Sequence, residues 1–134
     1  MIPAFTEKRI TRAMPTQACV VLGSTPVISF GDASKARVAT LGLNPSRREF
    51  DPEPRLALSG CSAEEIIRAC NCYFSYKPYT GWFGRFNSIL KAFAASYYDG
   101  SACHLDLVQW ATDPTWNHLG PSIQKKLQGG CAIP

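Results

Sequence analysis

The sequence predicts an α/β fold, a three-layer α/β/α domain around a central, mostly parallel sheet, and three observations predict it. Arg37-Val38-Ala39-Thr40-Leu41-Gly42-Leu43 is an apolar, β-branched run that stops at Asn44-Pro45. Such a run reads as a strand buried on both faces, as in a parallel sheet, entering a loop at its carboxyl end. From Trp82 to Ala95, Phe83, Phe86, Ile89, Leu90 and Phe93 recur at three- and four-residue steps and form the apolar face of a helix. The predicted order of strands, helix, helix, strand and helix then lets strands cross over through helices.

Each element has its own local signal. Residues 1–16 carry mixed charge, Pro3 and Pro15 without a sustained period, and read as an N-terminal arm ahead of one domain over residues 17–134. Cys19-Val20-Val21-Leu22, ended by Gly23-Ser24, and Pro26-Val27-Ile28-Ser29-Phe30, ended by Gly31-Asp32, read as two short strands. Ser62-Ala63-Glu64-Glu65 is a capping box opening a helix whose stripe is Ile66, Ile67, Ala69 and Cys70. Cys103 to Trp110 follows the Asp99-Gly100 turn and reads as a strand, expected to lie parallel to the one ending at Leu43. Gly120-Pro121-Ser122 opens a last short helix that Gly129-Gly130 breaks. With one weak helix after the last strand, the chain reads as the first two-thirds of a larger α/β domain.

Composition narrows the function classes. A chain of 134 residues fits one domain, and 46% hydrophobic against 18% charged residues excludes a disordered polyelectrolyte. No apolar run nears the roughly 20 residues of a membrane span. The first residues lack the apolar block of an export signal, so an intracellular, cytoplasmic and monomeric protein is expected. The net charge of +4 permits phosphate contact without demanding it. Basic residues in the central half are interleaved with Tyr, Phe and Trp, as a surface touching phosphates and bases requires. Six scattered cysteines, with Cys70-x-Cys72 tighter than zinc-ligand spacing, read as reduced thiols rather than a metal or iron–sulfur site, and no cofactor is expected.

In open α/β sheets, ligands bind beyond the carboxyl ends of the strands. The first such end is Gly42-Leu43-Asn44-Pro45-Ser46, followed by Arg47 and Arg48. Gly42 allows close approach, Pro45 holds the turn, Asn44 projects an amide and the arginines suit an anion. At the second end, His104 and Asp106 stand two apart and share one strand face.

These residues resemble a known family. Val38-Ala39-Thr40-Leu41-Gly42-Leu43-Asn44-Pro45-Ser46 is similar to the first active-site motif of the uracil-DNA glycosylase superfamily, closest to the mismatch-specific branch with its Gly-Ile-Asn-Pro-Gly. Cys72-Tyr73-Phe74-Ser75-Tyr76 resembles the segment whose ring stacks on a flipped base. Tyr79-Thr80-Gly81-Trp82-Phe83-Gly84-Arg85-Phe86 is similar to that branch's Asn-Arg-Phe-Trp helix start, and Leu105-Asp106-Leu107-Val108 resembles the strand that reads the base edge. The resemblance spans roughly residues 36–116.

The resemblance implies excision of uracil or a mismatched base from single-stranded or mismatched DNA, a chemistry that flips, stacks and reads the base. Asn44 would orient the attacking water as the catalytic residue. Gly42, Leu43, Pro45, Ser46, Phe74, Tyr76 and Asp106 would form the base pocket, with Phe74 as the stacking ring. Arg47, Arg48 and Lys77 would hold phosphates. Three departures lower the expected turnover. Ser46 stands for Gly, Asp106 stands for an Asn that both donates and accepts, and the family's second motif is missing, His118-Leu119-Gly120-Pro121-Ser122 coming too soon after the strand. A non-catalytic nucleic-acid or nucleotide-binding domain is the alternative reading.

Overall fold

The computed structural model describes residues 2–56 and 58–129. It is a mixed α/β structure with a small sheet. The helices are α1 (Ala4–Ile10), α2 (Ala63–Asn71), α3 (Thr80–Leu90) and α4 (Pro121–Gln128), and the strands are β1 (Val38–Gly42) and β2 (Ala102–Asp106).

β1 and β2 pair in parallel, as the sequence predicts, with Thr40 opposite His104 and Gly42 opposite Asp106. Pairing continues beyond both strands, because the Leu107 N–H donates to the Gly42 carbonyl at 3.1 Å and Val108 to Leu43 at 2.8 Å. β2 is shorter than the strand predicted over 103–110; beyond Asp106 the chain bends, and after Val108 its carbonyls at Gln109 and Ala111 accept from Val27 and Val21 instead of from β1.

That continuation is flanked by the two segments expected to be strands. Phe30 and His104 exchange both backbone hydrogen bonds at 2.9 Å, Val27 donates to Gln109, and Val21 donates to Ala111. Residues 19–30 thus run antiparallel beside 104–113, but only as single bridges at Val20–Thr112 and Phe30–His104. The reason is local. Pro26 has no N–H to donate, and Gly23 (φ 79°) and Cys19 (φ 55°) turn the chain out of extended geometry.

Alternation along the paired strands places Thr40, Gly42, His104 and Asp106 on one face and Leu41, Leu43, Leu105 and Leu107 on the other. α3 covers the first face. Phe83, 1% exposed, sets its ring 5.1–5.5 Å from those of Phe30, Tyr73, Phe74, Tyr97 and His104. The helix is shorter than the predicted 82–95. It ends at Leu90, passes into one 3₁₀ turn over Lys91–Phe93 and stops at Ala94 in the left-handed region. Ile89 and Phe93 are consequently exposed, not part of the buried stripe. At about 100° per residue, Ile89 lies roughly 120° around the helix from Phe83.

α2 carries the predicted capping box in full: Ser62 Oγ accepts from the Glu65 N–H and the Glu65 carboxylate accepts from the Ser62 N–H. Its buried side is Ala63, Ile66 and Cys70. The first sixteen residues contain α1, whose Ile10 is buried in the main core. A second, smaller core joins Ala18, Val108, Trp110, Leu119 and Leu127 beneath α4, which has Pro121 at its first turn. Gly130 lies outside the described residues. The strand over residues 37–43 is not buried on both faces as its apolar run predicts: the leucine face of the sheet is left open, with Leu41 and Leu107 more than half exposed, and lines a cleft of about 650 Å³ with Phe5 and Arg9 of α1.

Phe83 joins helix to sheet, so Phe83→Ala should cost about 3–5 kcal/mol through lost burial and the cavity left behind. Urea unfolding monitored by circular dichroism measures it. The exposed Phe93→Ala should change stability by less than about 0.5 kcal/mol.

Candidate functional site

At the carboxyl ends of β1 and β2 opens a cleft of about 320 Å³, lined by Gly42, Asn44, Trp82, Phe86, Asp106 and Trp116 among others. Asn44, Trp82 and Thr115 also line an adjoining cleft of about 510 Å³ that holds Pro45, Ser46, Arg47 and Arg48. The two form one groove across the strand tips.

Asn44 is held rigidly. Its Nδ2 donates to the Trp110 carbonyl and to Thr112 Oγ1, both at 3.0 Å. A carbonyl only accepts, so the amide must turn its NH₂ toward Trp110, and both amide hydrogens are used. Oδ1 remains as the acceptor, and no donor among the described residues reaches it. An amide in this state can orient a water molecule but cannot take its proton.

Asp106 reaches the same cleft from β2. Its side chain is 3% exposed and lies 3.2 Å from His104 Nε2. His104 Nδ1 is 2.7 Å from Thr40 Oγ1, which in turn is 2.6 Å from the Tyr97 hydroxyl. The proton assignment that satisfies every atom runs one way: Tyr97 donates to Thr40, Thr40 to His104 Nδ1, and His104 Nε2–H to the Asp106 carboxylate. Cys103 O, the competing acceptor for Thr40, is 3.5 Å away and therefore the weaker partner. Burial holds the Tyr97 hydroxyl above its ordinary pKa, which suits the donor role.

Gly42 makes this packing possible. A Cβ there would stand 2.5 Å from Asp106 Oδ1 and 2.9 Å from His104 Nε2. Glycine is needed for room, since a collision with two held side chains has nowhere to relax.

A buried carboxyl adjoins the groove and has no clear sequence signal. Glu49, 2% exposed, sits on the 3₁₀ turn after Ser46, whose hydroxyl caps that turn by accepting from the Arg48 N–H. Burial pushes Glu49 up to about 7, against the lowering effect of the 2.6 Å hydrogen bond from Tyr73 Oη and of the Arg55 charge. The Asp106 charge raises it further. The Tyr73 hydroxyl also accepts from the Tyr79 N–H, which joins Glu49 to the start of α3.

Of the residues predicted from sequence, the structure brings together Gly42, Leu43, Asn44 and Asp106 in one cleft, with Asn44, Pro45, Ser46, Arg47 and Arg48 in the adjoining one. Phe74 is elsewhere. One ring face stacks on Tyr97 at 4.6 Å and 8°, its surroundings are Tyr73 and Phe83 edges, and it lines a separate cleft with Asp32, Arg68 and Tyr98. The aromatic cluster around Phe83 recruits it, because a half-buried ring gains more from packing than from facing water. Tyr76 is 78% exposed and Lys77 is exposed, neither lining the groove. Arg47 pairs with Asp113 at 3.0 Å, an exposed contact of little strength, and Arg48 lies over the Tyr79 ring. The aromatic groups that do line the Asn44–Asp106 cleft are Trp82, Phe86 and Trp116. Trp82 and Trp116 escape sequence reasoning as site residues, although Trp82 stands in the segment read as a helix start.

Cys70 and Cys103 are buried free thiols and Cys19 is exposed; burial pushes Cys70 up to about 11. Cys131 lies outside the described residues. Among those residues no three His, Cys, Asp or Glu side chains cluster as metal ligands, and no helix is long and apolar enough to cross a membrane.

Two outcomes follow from this geometry. Gly42→Ala should destabilise the fold by about 1–3 kcal/mol through overpacking, read as a lowered urea midpoint. Glu49 binds its proton more tightly folded than unfolded, so stability should fall as pH rises from about 4.5 to 7 and level off above. The full difference is on the order of 3 kcal/mol. Glu49→Gln should remove that decline, as measured by urea unfolding from pH 4.5 to 8.

No protein-family model, curated protein or solved structure matches the chain.

Proposed function

We propose that this chain is a member of the uracil-DNA glycosylase superfamily in kind, and that its groove takes a base swung out of single-stranded or mismatched DNA and hydrolyses the bond to the sugar. One observation carries the reading. Asn44, with its amide oxygen left as an acceptor, and Asp106, with its carboxylate held by His104, stand at the tips of adjacent parallel strands and line one cleft. A cleft of about 320 Å³ is of a size for a single base.

The chemistry follows from what each group can do. Trp82, 45% exposed at the cleft wall, offers a ring for stacking in place of Phe74. Arg47 and Arg48 line the adjoining cleft, and the exposed Arg47–Asp113 pair costs little to exchange for a phosphate. Water oriented by Asn44 Oδ1 adds to the sugar C1′ as the C1′–N bond breaks. The bonding electron pair leaves with the base, and the water proton passes to solvent or to the departing base. No group at Asn44 takes that proton, so turnover is slow. The same reading implies a three-layer α/β/α arrangement. Binding without cleavage is the second reading, favoured by the non-basic amide of Asn44, whose NH₂ is committed to Trp110 and Thr112.

The test is a set of oligonucleotides carrying one uracil or one mismatched base, incubated with the protein and treated with alkali to cut abasic sites. Slow cleavage that falls about a hundredfold in Asn44→Ala supports excision. Binding should weaken steeply with salt. Salt-sensitive binding without cleavage selects the second reading. Cleavage indifferent to Asn44→Ala, or no binding at low salt, overturns the proposal.

A further inference from the structure

The leucine face of the sheet, which α3 does not cover, carries a second concave surface. Leu41, Leu43, Leu105 and Leu107 form its floor, the last of them 56% exposed, and it encloses about 650 Å³. α1 makes one wall. Phe5 and Arg9 stand four residues apart on one side of that helix and both line the cleft, while Ile10 anchors the helix in the main core. Apolar surface gathered into a concavity of this size is the ordinary form of a small-molecule site.

The polar end of the cleft sets what it takes. The Arg9 Nε–H donates to Gln109 Oε1 at 3.1 Å, and the guanidinium carbon lies 5.5 Å from the centre of the Phe5 ring. This contact orients the amide, with its oxygen toward Arg9 and its NH₂ away. Gln109 is 9% exposed and lines the cleft, yet among the described residues no acceptor reaches that NH₂. The terminal N–H groups of Arg9 also find no acceptor there, and no carboxylate of the described residues pairs with the guanidinium. Asp106 borders the cleft, but alternation along β2 puts its carboxylate on the other face, against His104. A covered amide donor and a fixed cation, both lacking acceptors, thus stand at the edge of a leucine surface. Polar groups so placed are ordinarily satisfied.

We infer that this cleft binds a small amphiphilic monocarboxylate, with its carboxylate on Arg9 and Gln109 and its hydrocarbon body on the leucine face. A carboxylate is planar and acceptor-only, and its two oxygens match the parallel N–H groups of a guanidinium. The Gln109 NH₂ supplies a further donor beside it. The leucine side chains offer no hydrogen bond, so the remainder of the ligand is apolar. Leu41 and Leu43 also border the Asn44 groove, but the site stands whether or not that groove cleaves DNA.

The experiment is isothermal titration calorimetry of the full chain with octanoate, and with octanol as its uncharged counterpart. Octanoate should saturate at one molecule per chain and bind at least tenfold more tightly than octanol, as charge-assisted hydrogen bonds provide. Arg9→Met keeps an apolar stem, and it should weaken octanoate by about tenfold or more while leaving octanol unchanged. Leu107→Gln, at an exposed position, should weaken both ligands together by about tenfold. Equal affinity for the two ligands, or no binding of either, overturns the inference. So does octanoate binding that Arg9→Met leaves untouched, or uptake of many molecules per chain without saturation. A chain that sediments as a dimer and that Leu107→Gln returns to monomers also overturns it, because a second copy then covers the leucine face. If Arg9→Met does not fold by circular dichroism, the ratio of octanoate to octanol affinity and Leu107→Gln decide by the same criteria.

Discussion

The buried imidazole of His104 is the point through which the rest of the structure is tied. Its backbone pairs on one side with Phe30 and stands in register with Thr40 of β1 on the other. Its ring contacts Phe30, Phe83 and Phe86 from the aromatic layer. Its two nitrogens bond Thr40 and Asp106. A parallel sheet of two strands is too narrow to bury much surface by itself, so the fold gains its cohesion from this crossing of backbone pairing, ring packing and polar satisfaction. A buried polar group without both partners would cost free energy comparable to the hydrogen bonds it lost. Here both are supplied by the sheet face on which the residue sits.

From that point the groove is built outward. Thr40 and Tyr97 anchor the inner side of the imidazole, and Asp106 carries its outer side to the strand tip. Gly42 leaves the space that the carboxylate occupies. Asn44 is fastened separately, to the chain beyond β2 through Trp110 and Thr112. Asn44 and Asp106 are thus oriented by different supports, one across the adjoining loop and one running through the core. Such duplicated support is what holds polar groups in place where water competes for them.

Glu49 introduces a second buried carboxyl close enough for its charge and that of Asp106 to repel. The Tyr73 hydrogen bond and the Arg55 charge relieve part of the cost of burial, yet the balance still pushes Glu49 up to about 7. The region behind the strand tips therefore carries one carboxyl held ready to be neutral and another held by a histidine. Pairs of titratable groups with contrasting environments concentrate at functional sites, which agrees with placing the site at this end of the sheet.

Local chemistry alone specified a good part of this molecule. The capping box of α2, the proline start of α4, the apolar run of β1 and its end at Asn44-Pro45 depend on nearest neighbours along the chain, and each is legible in the residues themselves. The pairing of β1 with β2 and the shared position of Asn44 and Asp106 follow from the rule that parallel strands present their tips at one edge. Tertiary structure decided the rest. Whether Val20 and Phe30 form strands or single bridges depended on Pro26 and two positive-φ residues interrupting the ladder. Whether Phe74 or Trp82 faces the groove depended on competition for the Phe83 cluster, which draws Phe74 against Tyr97. Glu49 has no period or motif to mark it, because its burial arises only when a short turn folds onto Tyr73. Sequence carries the information that lies within a turn of helix or a pair of strand neighbours, whereas ring packing and the satisfaction of buried charge are settled between residues tens of positions apart.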